Sequence, residues 1–538
     1  MFHLRRALPL SAALFVIISS WTIVSRYGVG LPTGDEWDLA KTLLHFHTNG
    51  IDWPTLTAFH NEHRIFVPRL YFQAHALFTG WNTLAIKFAN VIPLALSAYI
   101  IVSLTLISPK SLTLAGLTTL SIALVLGSWS QWQNYLWSFQ FPWFFVPFLF
   151  ITSSYLLARP LPANGLHRGA ATIALLITSG CMANGIITWF AILPLWFRRK
   201  SDQNQWLILG WWVAGFTLAY IFTFSGSPNT ESGVVEAVFS QPAHYLIWLL
   251  YLLGQPLVSC IGPNAGAVPV IPLIGAIGGI FLLAIIITPL YQSIKSKTIN
   301  NSFQMFAISL TLFGLLSGLA ISAGRFRSGL DLAAQSRYIT FTQLSLVGGL
   351  LLSYTSLDRV LSVKRSVTAR LGIWAATVAL AVLLAVPFFT TTIWLTDMRL
   401  SHARLKAVLA LSRLGGLEKE LSQLSHTNTL PSFLNLIERL ETAGLYYPSR
   451  LDINAVPTSS IINKDIAPQS EGQKLPPWSI DAIVAAQNID DKYFKIIAVS
   501  EARHRQLMEN SDFQPTGYHR KDYFLLGYNS GKNLFIRL

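Results

Sequence analysis

The sequence predicts an α-helical polytopic membrane protein of about eleven transmembrane helices, followed by a small C-terminal α+β domain outside the cytoplasm. Three observations predict it. Of 538 residues, 52% are hydrophobic and only 12% charged, against roughly 25% charged in soluble domains, so the excess apolar surface has to face lipid. Apolar runs of roughly 20 residues, the length that crosses the hydrocarbon, recur to about residue 394 and then stop. Cations gather between those runs, at Arg5 and Arg6, Lys110, Arg159 and Arg168, Arg198 to Lys200, Lys295 and Lys297, and Arg359 to Arg370, as the cytoplasmic bias of Lys and Arg requires. That placement accounts for a net charge of +14, and no nucleic acid is expected as a partner.

The first segment, Arg5-Arg6 and then an apolar run to about Val24, is long for the apolar part of a signal peptide and lacks an Ala-x-Ala site. It reads as a retained anchor with a cytoplasmic N-terminus. Residues 26–83 are then external, and spans at 84–107, 112–129 and 141–158 follow. The stretch 169–197 is too long for one crossing with both flanks cytoplasmic, and Asn184-Gly185 near its centre predicts a hairpin of two short helices. Span seven covers about 206–224. Residues 244–260 are expected to dip in or lie at the interface, because a crossing there would put the Lys295 and Arg359 clusters outside. Spans at roughly 269–291, 303–323, 338–357 and 371–394 complete the set.

Beyond residue 394 the character changes. Residues 395–443 carry Leu at helical spacing, 448–480 are rich in Pro, Ser and Asn, and Tyr493 to Val499 and Tyr523 to Leu538 read as strands. The expected domains are therefore 1–394, within the membrane, and 395–538, outside the cytoplasm. Cys181 and Cys260, the only two cysteines, fall in or beside apolar stretches and offer neither a disulfide framework nor a thiolate metal site.

Of ten carboxylates before residue 395, five crowd into the first external segment: Asp35, Glu36, Asp38, Asp52 and Glu62. Asp38 and Asp52 suit a solvated loop, and Asp52-Trp53-Pro54 reads as a helix cap with Pro in the first turn. Asp35 and Glu36 follow Pro32-Thr33-Gly34 directly after the first span, which sets two acids at the membrane surface where a lipid-borne head group would stand. Such an acid suits taking a proton from a hydroxyl. A second acid, Glu62, stands in Asn61-Glu62-His63-Arg64 with Arg69 close behind, in what reads as an interfacial helix. Histidines at 45, 47, 60, 63 and 75 lack the zincin spacing, and no histidine metal site is expected.

Between spans nine and ten the chain reads Gly324-Arg325-Phe326-Arg327-Ser328-Gly329, then Asp331, then Ser336-Arg337-Tyr338. Three arginines there stand on the side where positive charge is normally depleted, and guanidinium matches phosphate oxygens bidentately. Trp129 to Trp143 holds four tryptophans among Gln131, Gln133, Asn134 and Gln140, which fits an interfacial aromatic belt and also a surface on which sugars stack.

The acidic motif Gly34-Asp35-Glu36-Trp37-Asp38, the hairpin around Ala183-Asn184-Gly185 and the late Gly-Arg…Ser-Arg-Tyr loop together resemble the glycosyltransferase C superfamily, in its bacterial polyprenyl-phosphate-sugar-dependent branch. The resemblance covers residues up to about 394. It implies a glycosyltransferase-C-like fold and inverting transfer of a hexose or pentose from a polyprenyl-phosphate donor. The acceptor would be an envelope glycan, lipid or protein on the outer face of the bacterial inner membrane. It implies Asp35 as base, with Glu36 beside it as the alternative; Glu62, from the reading of its own loop, is the second-choice acid. It implies Arg325, Arg327 or Arg337 near the donor phosphate; Tyr338 and Arg64 are further candidate donor-phosphate contacts from the residues themselves, and a divalent cation is the one cofactor left open. A transporter or flippase, or an envelope polymerase or ligase, is the competing expectation; the first requires charges near mid-bilayer, and these are nearly absent here.

Overall fold

The structure, a computed structural model, describes residues 2–106, 112–159, 165–197, 205–227, 234–258, 270–295, 301–363, 381–392, 395, 398 and 430–445, and the C-terminal strands given below. The basic residues Lys110, Arg198 to Lys200 and Lys297, Cys260, and nearly all of the polar segment 448–480 lie outside the described residues. Two compact units emerge. The first comprises Met1–Gly28, Asp52–Phe72 and Ala85–Trp394; the second comprises Val29–Ile51, Gln73–Leu84 and Leu395–Leu538.

The described chain is mostly helical. In order come α1 (Phe2–Tyr27), α2 (Glu36–Asn49), α3 (Trp53–Thr57), the two-residue strands β1 (Phe59–His60) and β2 (His63–Arg64), α4 (Phe66–Thr79), α5 (Thr83–Asn90), α6 (Ile92–Thr105) and α7 (Leu112–Leu126). They are followed by α8 (Trp132–Leu136), α9 (Phe141–Ala158), α10 (Gly165–Ser179), α11 (Ile187–Ala191), α12 (Leu193–Trp196) and α13 (Gln205–Phe224). Then come α14 (Val234–Ser240), α15 (Pro242–Val258), α16 (Val270–Lys295), α17 (Ser302–Arg325), α18 (Leu330–Ala333) and α19 (Ile339–Val363). Prolines stand in the first turns of α3, α6, α9 and α12, where a helix tolerates them best, while Pro9, Pro147, Pro256 and Pro289 fall inside helices.

Among the described residues seven helices are long and apolar enough to cross a membrane: Ala7–Tyr27, Thr83–Thr105, Leu114–Leu136, Ser138–Ala158, Gln205–Phe224, Pro272–Lys295 and Ser302–Ser328. The expected count was eleven. In the stretch 169–197 the helix ends at Ser179 and resumes from Ala183 only in short pieces. In α19 the first turns carry the buried polar residues Thr340, Thr342, Gln343 and Ser345, which lower its hydropathy. The expected span 371–394 is described as a helix only over Ala381–Thr392.

One close helix pair in the first unit sets up everything below. A Cβ on Gly314 would strike the backbone of Ser345, and one on Gly348 would strike Ala307 and Thr311. Small residues thus let α17 and α19 run antiparallel in backbone contact, the usual solution where lipid supplies no hydrophobic drive between helices. The segment that joins them carries the arginines.

In the second unit Trp37 on α2 is fully buried, edge-on to Trp81 at 5.8 Å and to Phe433 of the helix Leu430–Thr442 at 4.8 Å. A six-stranded sheet completes the unit, with strands β3 (Val456–Pro457), β4 (Ile461–Ile462), β5 (Ala482–Asn488), β6 (Tyr493–Glu501), β7 (Tyr523–Asn529) and β8 (Leu534–Arg537) in the order β3-β6-β5-β7-β8-β4. All pairs are antiparallel except β4 with β8, and a bulge interrupts β5 at Ala485/Ala486.

Candidate functional site

The acidic turn belongs to the second unit. Thr33-Gly34-Asp35-Glu36 has the spacing of a capping box, and Glu36 behaves as its acid: Oε2 accepts from Thr33 N–H at 2.5 Å and lies 3.5 Å from Thr33 Oγ1. Gly34 takes φ 55°, the left-handed conformation that costs other residues most. The Trp37 indole closes the turn by donating to Pro32 O at 3.0 Å. Glu36, expected beside Asp35 as a catalytic acid, is therefore buried at 1% exposure and engaged in starting α2. Asp35 is half-buried and its side chain takes no part in the cap. Asp38 pairs with Lys41 at 3.1 Å.

The second acid belongs to the first unit, on a different element from the one expected. Asn61-Glu62 forms the two-residue turn of a β-hairpin, with His60 opposite His63; the helix begins only at Phe66. Asn61 takes φ 56°, a conformation its short amide tolerates, and this reverses the chain before a helix can form. Glu62 at the tip is held down to about pKa 2, first by the His63 ring 3.8 Å from its Oε1, against the opposing effect of burial, and then by its own backbone N–H and by Arg325. The structure thus sets Glu62 beside His63, with Arg325 acting on it only as the smallest of these influences.

Arg64 was expected at the donor phosphate. Three of its five N–H groups go to carbonyls: Nε to Thr57 at 2.8 Å, Nη1 to Phe222 at 2.5 Å and Nη2 to Ser225 at 2.9 Å. Its guanidinium also lies 4.1 Å from the Phe59 ring. It ties the hairpin to the C-terminal end of α13, whose last carbonyls have no helical partner. Ser227 Oγ reinforces the tie by donating to Glu62 O at 3.0 Å. Buried Arg69 gathers the carbonyls of Leu56, Ala58 and Phe59 from the other side.

The arginine loop is held along its whole length. At its start α15 clamps the backbone: His244 Nε2 donates to Phe326 O at 3.2 Å and Trp248 Nε1 to Gly329 O at 3.0 Å. Arg325 and Arg327 are exposed on this part. At its end the segment Trp129–Gln140 takes over. Gln133 Oε1 accepts from Arg337 N–H at 3.1 Å, while Ser336 Oγ accepts from Gln133 N–H at 3.1 Å. Asn134 Nδ2 donates to Arg337 O at 2.8 Å and to Thr340 Oγ1 at 2.6 Å. Gln131 Oε1 accepts from Thr340 Oγ1 at 2.5 Å and from Gln343 Nε2 at 3.3 Å.

These amides point inward, so the stretch read as an aromatic belt is also a buried polar joint. Sequence reasoning missed that duty. Its signal was the run of amides among tryptophans, matched by Thr340 and Gln343 at the start of α19. The Arg337 guanidinium stands 5.2 Å from the Tyr338 ring and 6.0 Å from Trp137, and its Nε–H is buried with no hydrogen-bond partner. Trp137 adjoins Phe139 at 6.0 Å, and Phe139 adjoins His60 of the hairpin at 5.2 Å. One aromatic run therefore links the Glu62 hairpin to Arg337. Among the described residues no three His, Cys, Asp or Glu side chains gather as metal ligands.

No family model matches the chain, and no curated protein does. Among solved structures the chain is similar to ArnT from Cupriavidus metallidurans in its apo state, at 15% identity over 63% of this chain and 76% of that one, with a TM-score of 0.27. Likeness of that degree carries no argument about this chain, whose reading rests on its own residues.

Proposed function

We propose that the chain is an inverting glycosyltransferase of the glycosyltransferase C type that moves a sugar from a polyprenyl-phosphate donor to an envelope acceptor. It works on the outer face of a bacterial inner membrane, with the N-terminus cytoplasmic, residues 1–394 as the membrane domain and 395–538 as an extracytoplasmic domain. The observation that supports this most is Arg337: its backbone is pinned at both ends, and its buried Nε–H lacks an acceptor. An unpaired buried donor of that kind is costly unless a ligand supplies the acceptor, and a phosphate oxygen is the natural one.

In the proposed reaction an acceptor hydroxyl attacks the anomeric carbon from the face opposite the phosphate. Its proton passes to the Asp35 carboxylate as the carbon–oxygen bond to phosphate breaks. The electron pair leaves on the phosphate, where Arg325, Arg327 and Arg337, with Tyr338, stabilise it. Glu62, its carboxyl held well below the ordinary range chiefly by His63, adds a negative charge that Arg325 also feels.

The test is release of polyprenyl phosphate by the purified full chain in detergent, given a panel of polyprenyl-phosphate sugars and a membrane extract as acceptor source. Release by wild type and not by Asp35→Asn supports the reading, and an EDTA arm decides whether a divalent cation takes part. A folded protein that releases nothing from any donor overturns it in favour of a transporter.

A further inference from the structure

We infer that Gln133 and Asn134 are positioning residues for Arg337, acting as a two-point vice on its backbone N–H and C=O that aims the guanidinium at the phosphate. The inference rests on the reading of Arg337 as a phosphate ligand and goes beyond it, since neither amide touches the substrate in that scheme.

Arg337 is the middle residue of a single turn of tight helix, Ser336–Tyr338, just before α19. Backbone N–H and C=O groups so placed at a helix start usually find their partners within the helix or in water. Here both are taken by side chains more than 200 residues distant in sequence: the N–H by Gln133 Oε1 at 3.1 Å and the C=O by Asn134 Nδ2 at 2.8 Å. Fixing both ends of a residue removes the freedom of its own φ and ψ, so the direction of its Cα–Cβ bond is set by the partner segment. That segment is itself fixed. Asn134 is fully buried and bonds Thr340, and Gln131 beside it bonds Thr340 and Gln343. Asn90 Nδ2 adds a tie to Ser138 O at 2.8 Å.

The guanidinium itself is lightly held, by one long contact of 3.4 Å to Tyr338 OH and by ring faces. Its aim therefore comes from the backbone, which is what a positioning role requires.

Gln133 is the residue to change, because it is only half-buried. Gln133→Leu removes the acceptor; Gln133→Glu keeps an oxygen for the Arg337 N–H. We would titrate the purified full chain with polyprenyl phosphate, the proposed leaving product, and follow turnover in parallel. Gln133→Leu is expected to weaken binding about three- to tenfold, the worth of one hydrogen bond. Gln133→Glu should restore most of it, and Gln133→Leu should cost nothing further in an Arg337→Ala background. Unchanged binding in Gln133→Leu, or a loss of equal size with and without Arg337, overturns the inference while leaving the phosphate reading intact. Wild-type protein that binds no polyprenyl phosphate removes the phosphate reading, and the inference with it.

Discussion

Two acid-bearing turns, Thr33-Gly34-Asp35-Glu36 and His60-Asn61-Glu62-His63, use the same residue types for opposite ends. Each turns on a residue with positive φ, Gly34 at 55° and Asn61 at 56°. In the first turn one acid is buried to begin a helix, and its neighbour takes no part in that cap. In the second the acid stands at a hairpin tip, ionised beside a histidine and an arginine, while the neighbouring arginine is consumed by backbone carbonyls. The lesson is that an acid's neighbours in sequence do not tell whether it serves the fold or the chemistry. Its hydrogen-bond partners do.

Mutations can break that contrast, and the largest effect belongs to the acid placed in the reaction. Asp35→Asn is expected to lower transfer by about a hundredfold or more, the usual worth of a positioned base, with the melting temperature in detergent unchanged. Parallel loss of folding would instead mean that Asp35 shares the structural duty of Glu36. Next comes Glu36→Ala. It should destabilise the second unit by roughly 1–2 kcal/mol, as loss of a cap does, visible as a lower melting temperature, while turnover per folded molecule holds. A variant that folds normally yet loses turnover would reverse the assignment of the two neighbours.

Glu62→Gln is expected to cost stability in a pH-dependent way. Because the folded pKa of about 2 lies below the ordinary 4.5, the ionised form stabilises the fold fully above about pH 4.5 and the gain is lost as pH falls toward 2. The melting-temperature gap between wild type and variant should therefore close as pH falls from about 4.5 toward 2; a gap that stays fully open at that acid end would contradict the depressed Glu62 carboxylate. The smallest effect is Asn61→Ala, roughly 1 kcal/mol for a left-handed residue. Asn61→Gly should restore most of it, measured by the same melts.

Much of the helical framework was legible beforehand. The run expected at 141–158 coincides with α9, and 206–224 differs from α13 by one residue, because uninterrupted apolar stretches leave the chain few alternatives in lipid. The Asp52 cap was legible as well: its carboxylate accepts from Thr55 N–H at 2.8 Å, with Pro54 in the first turn. The hairpin at 59–64 was not, since His, Asn and Glu carry no strand period over so short a run. Nor was the amide joint at 131–134, whose partners lie more than 200 residues away. Periodicity speaks to single elements, and a joint between distant loops has none. The strand Ala482–Asn488 also went unread.

Arg64 has a consequence beyond the site. By grasping the final carbonyls of α13 it couples the Glu62 hairpin to a helix most of whose surface faces outward. A bilayer too thin for α13 is met by tilt, and a tilted α13 pulls the hairpin with it.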